Sequence, residues 1–151
     1  MIPYCAELSE AARQIGSVNT LVRRPDGTLF GDNTDAAGFE AMLDRLNVSP
    51  VGKKALVLGS GGASLTVQHV LKMRGAAEVV VISRSGEDNY DNLERHADAR
   101  VLVNTTPVGM YPNNEEVPLD IARLPKLEAV LDVIYNPART RLMQDAAARA
   151  C

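Results

Sequence analysis

Apolar and polar positions in the middle of the chain follow a pattern that indicates strand, helix and strand in succession. Residues 55–58 form a continuous apolar run, and three glycines follow within four positions. An amphipathic segment over 62–74 then leads to Gly75, a residue type that commonly ends helices. The β-branched run over 78–82 is typical of a parallel strand that is buried on both faces. These segments together predict one βαβ unit.

The rest of the C-terminal half continues this alternation. Apolar runs predict strands over 100–104 and 128–134, and helical spacing predicts a final helix over 139–150. A short helix is expected over 88–96, with Tyr90 and Leu93 facing inward. Strands that alternate with helices predict an α/β fold, a Rossmann-like doubly wound parallel sheet.

The N-terminal part has a different pattern. It predicts a helix over 8–15, a hairpin of strands 17–22 and 28–30, and a longer amphipathic helix over 36–46. A lone two-stranded hairpin is at best marginally stable in water, so these elements indicate the remainder of a larger unit.

We place the domain junction near residue 47, which divides the chain into 1–47 and 48–151. Exposed strands recruit other strands, so the N-terminal part is expected to be mobile or to support self-association. Four apolar side chains of this part are expected to lack cover: Leu8, Ile15, Leu21 and Phe30.

The glycine cluster after residue 58 suggests a nucleotide-binding loop. Gly59 would allow a sharp turn, Gly61 would let a ligand approach the backbone, and Gly62 would open the helix. The first amides and the dipole of that helix then face a pyrophosphate. Ser64 stands where this fingerprint usually has a third glycine or alanine, and a small residue there still allows close helix packing. Alone, the cluster is equally consistent with a simple turn.

Composition narrows the function classes. The 151 residues carry a net charge of −3, which disfavours a nucleic-acid or anionic-membrane surface because either requires a basic excess. No apolar run has the roughly 18 to 20 residues of a membrane span, and the N-terminus lacks signal-peptide features, so a cytoplasmic location is expected. The spacing of Cys5, Cys151, His69 and His96 indicates no metal or redox site.

Five motifs resemble, in order and approximate spacing, those of the shikimate dehydrogenase family. The resemblance covers nearly all of the chain, and five ordered motifs are far more specific than one glycine loop. The motifs are Gly16-Ser-Val-Asn-Thr-Leu21, Gly31-Asp-Asn-Thr-Asp-Ala-Ala-Gly-Phe39, Leu58-Gly-Ser-Gly-Gly-Ala63, Asn104-Thr-Thr-Pro-Val-Gly-Met110 and Asp132-Val-Ile-Tyr-Asn-Pro137.

The resemblance implies NADP-linked reduction of 3-dehydroshikimate to shikimate on the route to aromatic amino acids. It also implies an N-terminal substrate domain and a C-terminal dinucleotide domain with the active site between them. The family's catalytic lysine belongs to a Pro-x-Lys motif upstream of this chain, and its substrate-binding glutamine belongs to a later segment. Lys53 and Lys54 cannot replace that lysine because both enter the glycine-loop strand. We therefore expect a piece of the enzyme that binds NADP but is nearly inactive alone.

The motif match implies three residues on the substrate side. Asp35 is implied as the catalytic partner of the lysine and as a substrate ligand, while Asn19 and Tyr135 match positions that touch substrate hydroxyl or carboxylate groups. Each has a structural alternative: Asp35 as the N-cap of the following helix, Asn19 as a turn amide and Tyr135 as a core tyrosine.

The cofactor choice depends on the end of the second βαβ strand. NAD sites place an acidic side chain there, whereas an arginine can pair with a 2′-phosphate. This position holds Ser83, Arg84 and Ser85 with no acid before Glu87, which favours NADP. The resemblance adds two positions near the adenosine and nicotinamide portions. The full set of predicted cofactor residues is Gly59, Ser60, Gly61, Gly62, Ala63, Ser83, Arg84, Ser85, Thr106 and Val133.

Two alternatives remain open at this point. The first is a nucleotide-binding module that regulates or scaffolds without chemistry, which the missing lysine supports. The second is a relative within the same enzyme class that uses quinate or NAD.

Overall fold

The computed structural model describes residues 1–149, so Ala150 and Cys151 lie outside the described residues. Its N-terminal part contains strand β1 (Glu7–Leu8), helix α1 (Glu10–Ile15), and strands β2 (Thr20–Arg23) and β3 (Leu29–Asp32). These strands form a small mixed sheet in the order β1-β3-β2. The predicted hairpin is confirmed, but the N-terminal helix begins two residues later than expected, because the Ser9 hydroxyl caps it by accepting from the amide of Ala12.

The larger part confirms the doubly wound parallel sheet. Four parallel strands lie in the order β5-β4-β6-β7, with helices on both faces. The elements of this part, with the helix that leads into it, are α2 (Asp35–Arg45), β4 (Lys54–Leu58), α3 (Gly62–Met73), β5 (Glu78–Ile82), β6 (Val101–Asn104), β7 (Ala129–Asp132) and α4 (Arg141–Ala148).

The connection between β5 and β6 differs from the prediction. An α-helix over 88–96 was expected, but helical structure is limited to a 3-10 turn at Leu93–His96. Leu93 is fully buried as predicted, whereas Tyr90 is only partly buried. Side-chain amides of Asn89 and Asn92 bond to the backbone of this segment and replace the helical pattern.

Successive strand residues pack into two cores on opposite faces of the parallel sheet. Leu56 and Leu58 face the core that contains α4, while Ala55 and Val57 face the core that contains α2 and α3. Ile15 of α1 joins the second core and is only 7% exposed, so the expectation that it lacks cover is wrong. The division of the chain at residue 47 stays a prediction.

Fewer apolar side chains of the N-terminal region are exposed than expected. Leu21 is 43% exposed and Val22 is 49% exposed on the edge strand β2, while Leu8 and Phe30 are half-buried. Among residues 1–149, no helix has the length and apolar character that a membrane crossing requires.

Candidate functional site

The loop between β4 and α3 has the geometry that its three glycines predict. Gly59 has a φ of +102°, and a Cβ there would lie 3.0 Å from the Thr105 hydroxyl oxygen. Gly61 is the N-cap of α3, and a Cβ there would meet no heavy atom within 4 Å. Gly62 is the first residue of the helix. The space beside Gly61 at the start of α3 is therefore open, and the first amides of a helix, which lack intrahelical partners, suit an anion.

A first cleft opens beside this loop at the carboxyl ends of β4, β5 and β6. Its volume is about 560 Å³. β4 lies between β5 and β6, so the cleft occupies a point where the strand order reverses, the usual ligand position in open α/β sheets. The cleft brings together seven of the predicted cofactor residues: Gly59, Ser60, Gly61, Ser83, Arg84, Ser85 and Thr106. The structure groups these residues, and their binding role stays a prediction.

The charge of this cleft comes from one side chain. Among the described lining residues Arg84 is the only charged one, and no carboxylate lines the cleft. Arg84 is exposed and takes part in none of the ion pairs between residues 1–149. Its guanidinium is therefore available to a ligand anion.

A network of polar side chains fixes the position of Thr106, one of the residues that line the cleft. The Asn104 side-chain oxygen accepts from the amide of Thr106 at 3.0 Å and from its hydroxyl at 2.7 Å. The Asn104 side-chain amide donates to Asp132 at 3.2 Å, and the Thr140 hydroxyl donates to the other carboxylate oxygen at 2.7 Å. Burial raises the pKa of Asp132, although these hydrogen bonds and one from the amide of Ile134 oppose the rise.

Sequence reasoning missed this network. Asn104 and Asp132 are paired in the register of β6 and β7, where each ends its strand. A polar residue at the end of each of two apolar runs was the available signal, because carboxyl ends of neighbouring parallel strands lie at one edge of the sheet. The network links the loop after β6 to the loop after β7.

A second cleft lies between α2 and α3, with a volume of about 490 Å³. It brings together Asp35, from the substrate-side prediction, with Ala63 and Val133, from the cofactor-side prediction. Gly62, although it begins α3, lines neither of these clefts. The predicted cofactor residues thus divide between two clefts near the N-terminus of α3.

Asp35 does not have the capping role that was its structural alternative. The N-cap of α2 is Thr34, and Asp35 is the first helical residue. The Asn19 side-chain oxygen accepts from the amide of Thr34 at 3.0 Å and from the hydroxyl of Thr20 at 2.9 Å. Asn19 thus binds the residue before Asp35 and has the structural role of a turn amide.

Tyr135 is not the core tyrosine of its structural alternative, because it is 88% exposed on the loop after β7. It lines neither cleft, so the structure does not bring it together with Asp35. Its substrate-binding role stays a prediction.

A buried asparagine connects the two sides of the site. Asn33 is 4% exposed, and its side-chain amide donates to the Ser17 carbonyl at 3.2 Å and to the Thr66 hydroxyl at 3.0 Å. Its side-chain oxygen has no hydrogen-bond partner among the described residues. The segment that carries Asp35 is therefore tied directly to helix α3.

The lysines that were excluded as catalytic groups lie at the opposite end of the sheet. Lys54 begins β4, and its ammonium group lies 3.2 Å from carboxylates of both Glu78 and Asp98. Burial acts to lower the pKa of Lys54, but hydrogen bonds to Asp98 and Glu78 raise it overall. Among residues 1–149, no group of three His, Cys, Asp or Glu side chains is placed to hold a metal ion.

Comparison with known proteins adds independent information. No protein-family model matches the chain. The curated protein named shikimate dehydrogenase (NADP(+)) from Geobacillus sp. (strain WCH70) is 35% identical over 168 residues, which cover 99% of this chain and 60% of that protein. The chain therefore spans about 60% of the length of this relative.

Solved structures give the same result. The chain matches a chorismate mutase/shikimate 5-dehydrogenase fusion protein from Clostridium acetobutylicum with a TM-score of 0.90 at 36% identity, covering 99% of this chain and 58% of that one. Shikimate 5-dehydrogenase from Thermus thermophilus, in complex with NADP(H) and shikimate, matches with a TM-score of 0.83 at 35% identity, covering 98% and 59%. Quinate dehydrogenase from Corynebacterium glutamicum, in complex with NAD, matches with a TM-score of 0.85 at 29% identity, covering 99% and 60%.

Proposed function

Because this chain belongs to the shikimate dehydrogenase family, we propose that it is the NADP-binding part of an enzyme that reversibly reduces 3-dehydroshikimate to shikimate. One observation carries the proposal. The first cleft is lined both by Arg84, which takes part in no ion pair among residues 1–149, and by Gly61, the N-cap of α3. None of the described lining residues carries a carboxylate. This combination suits a dinucleotide with an extra phosphate.

The residues present fit NADP. The amides that follow Gly61 would receive the pyrophosphate, because no Cβ obstructs its approach to the start of α3. Arg84 would pair with the 2′-phosphate, with Ser83 and Ser85 as neighbouring hydroxyl donors. Thr106 lies on the opposite wall and is held by Asn104.

Asp35 is the proposed carboxylate of the substrate side. Ketone reduction requires a hydride for carbon, which NADPH supplies when bound, and a proton for oxygen from a group within hydrogen-bond reach. We propose that Asp35 orients the substrate and keeps the family lysine charged, while Asn19 holds the adjacent Thr34 and contacts a substrate hydroxyl. No lysine of this chain occupies the matching motif, so the chain alone is expected to be nearly inactive.

The cofactor proposal is tested by calorimetric titration of the chain with NADP and NAD. Arg84→Ala should weaken NADP binding more than NAD binding by about 1.5 to 3 kcal/mol, the range for a hydrogen bond to a charged group. Arg45→Ala removes an exposed arginine outside the cleft and is the matched control. Equal losses for the two cofactors in Arg84→Ala would remove this arginine from the site.

The catalytic proposal is tested with shikimate and NADP in the chain joined to the lysine-bearing segment that the family resemblance implies. Asp35→Asn should lower turnover, by at most the factor of about 10² to 10⁴ that general acid–base assistance supplies, because the carboxylate keeps the proton-donating lysine charged. Its melting temperature should change little, because Thr34 rather than Asp35 is the N-cap. Glu40→Gln, on the same helix, is the control. Wild-type turnover in Asp35→Asn would end the catalytic assignment.

Two alternatives separate in these same experiments. A nucleotide-binding module without chemistry would bind NADP but show no turnover in the joined protein. The similarity to quinate dehydrogenase in complex with NAD favours testing the second alternative, a quinate- or NAD-using relative. That relative would turn over faster with quinate or with NAD than with shikimate and NADP.

Self-association and location are the remaining parts of the proposal. The exposed edge strand β2, with Leu21 and Val22, is proposed to pair with another strand, and the protein is proposed to act in the cytoplasm. Light scattering should then show a concentration-dependent equilibrium between monomer and dimer. Val22→Lys should shift this equilibrium toward the monomer. A wild-type monomer at all concentrations would contradict the pairing.

A further inference from the structure

The segment between β5 and β6 is built by its own side chains rather than by an α-helix. The Asn92 side-chain oxygen accepts from the amide of Asn89 at 2.9 Å, and its amide donates to the Glu87 carbonyl at 2.8 Å. The Asn89 side-chain oxygen accepts from the amide of Asp91 at 2.9 Å. These bonds close the turns on both sides of Tyr90, so its backbone position is well defined.

Tyr90 is fixed from the opposite side as well. Arg123 donates from one guanidinium nitrogen to the Tyr90 carbonyl at 2.8 Å, while its other nitrogens bind Glu94. The Tyr90 ring packs against the core that contains Leu93. Its remaining surface lines the first cleft, together with Ser83 and Arg84.

The electrostatic setting keeps the phenol protonated. Burial raises the pKa of Tyr90, and the positive charge of Arg84 opposes that rise, so the hydroxyl is a hydrogen-bond donor at neutral pH and lies within the field of the guanidinium. Arg84 is the only charged side chain among the described lining residues, whereas the following Glu87 and Asp88 are acidic. A phosphate monoester carries about 1.5 to 2 negative charges at pH 7, more than one arginine neutralises.

We propose that Tyr90 is a specificity-determining residue of the NADP site, whose hydroxyl donates a hydrogen bond to the same 2′-phosphate that Arg84 pairs with. The inference rests on the proposed function, because it requires NADP in the first cleft. Tyr90 lies outside the five motifs. It belongs to the segment 88–96, which was predicted to be an α-helix but is not one. The ring sets the position of the hydroxyl, and the neutral donor supplements a single cation.

Tyr90→Phe keeps the ring and removes only the hydroxyl. Calorimetric titration should give a dissociation constant for NADP that is raised about 10-fold or more, with that for NAD unchanged. The same contrast is expected between 2′-phosphoadenosine 5′-phosphate and adenosine 5′-phosphate, which isolate the phosphate. Tyr111→Phe, an exposed tyrosine outside the cleft, is the matched control and should change neither constant.

The outcomes separate this inference from the proposed function. If Arg84→Ala abolishes the preference for NADP but Tyr90→Phe does not reduce it, the tyrosine inference is wrong and the cofactor proposal stands. Equal weakening of NADP and NAD by Tyr90→Phe would place the hydroxyl against a group that both cofactors share, rather than the 2′-phosphate, and would also overturn the inference. A wild-type chain that binds neither cofactor, or binds both equally, overturns both proposals.

Discussion

Gly61 offers a clean separation of folding from ligand binding. Its φ of −84° and ψ of −171° are extended values that any residue adopts, and a Cβ there meets no heavy atom within 4 Å. Valine is a poorer N-cap than glycine, and the loss for helix α3 should be about 1 kcal/mol or less. We therefore expect Gly61→Val to fold with a melting temperature close to that of the wild type.

The same substitution should prevent close approach of a pyrophosphate. The added methyl groups project into the open space before the first amides of α3, where the proposed cofactor must lie. Each hydrogen bond to a charged group is worth about 1.5 to 3 kcal/mol, so losing even one weakens binding by about 10- to 150-fold. Both NADP and NAD carry the pyrophosphate, so calorimetry should find similar losses for the two, in contrast to Arg84→Ala.

Gly59→Ala is the matched comparison within the same loop. Its φ of +102° is strained for alanine, and the added Cβ would lie 3.0 Å from the Thr105 hydroxyl oxygen. A left-handed conformation costs about 1 to 2 kcal/mol for residues other than glycine, so this variant should lose stability before any ligand is added. A folded Gly61→Val variant that binds NADP with unchanged affinity would refute the proposed position of the pyrophosphate.

Two further predictions concern the polar contacts around the clefts. Thr66→Val keeps the side-chain size, removes the hydroxyl that Asn33 binds and should lower the free energy of unfolding, measured by urea denaturation, by about 1 kcal/mol. Because burial raises the pKa of Asp132 in the folded state, this group favours folding below its unfolded pKa, and the benefit is lost as pH rises through the folded pKa. Urea denaturation between about pH 3.5 and 7 should therefore find wild type losing stability relative to Asp132→Asn as pH rises, and a constant difference would contradict the buried carboxylate.

The central strands were predictable because a strand that is buried on both faces requires apolar side chains at nearly every position. The run at 78–82 has the bounds of β5, and the run after Lys54 gives β4. Such strands read as continuous apolar runs, and the glycines after β4 mark the place where the chain turns sharply into α3. The order of strands across the sheet then follows from the usual doubly wound topology.

The segment 83–96 was not predictable by the same means. The spacing of Tyr90 and Leu93 fits a helical face, and Leu93 is indeed buried. Asn89 and Asn92, however, bond to nearby backbone groups, and asparagine side chains compete in this way with helical hydrogen bonds. The local periodicity therefore predicted the burial of Leu93 correctly but predicted an α-helix where the backbone forms only turns.

The candidate site was predictable only where its residues are close in sequence. The loop at 59–63 and the triplet at 83–85 each belong to one turn, so their residue types indicate their chemistry directly. The pair Asn104 and Asp132 is separated by 28 positions and meets only through the register of β6 with β7. A contact of this kind is found only by combining the polar end of each apolar run with the strand order of the doubly wound topology, because local residue patterns alone do not show which strands are neighbours.

The contact between Asn33 and Thr66 limits how the two sides of the site can move. Hydride transfer requires reacting atoms about 3 to 3.5 Å apart, so the carboxylate that orients a substrate must keep a fixed position relative to the cofactor loop. Asp35 follows Asn33 by two residues, and Asn33 donates to a hydroxyl on the first turns of α3, the helix that the glycine loop opens. Moving Asp35 away from α3 would break this buried hydrogen bond, at a cost of about 1 kcal/mol or more. The geometry between Asp35 and the glycine loop is therefore set within this chain.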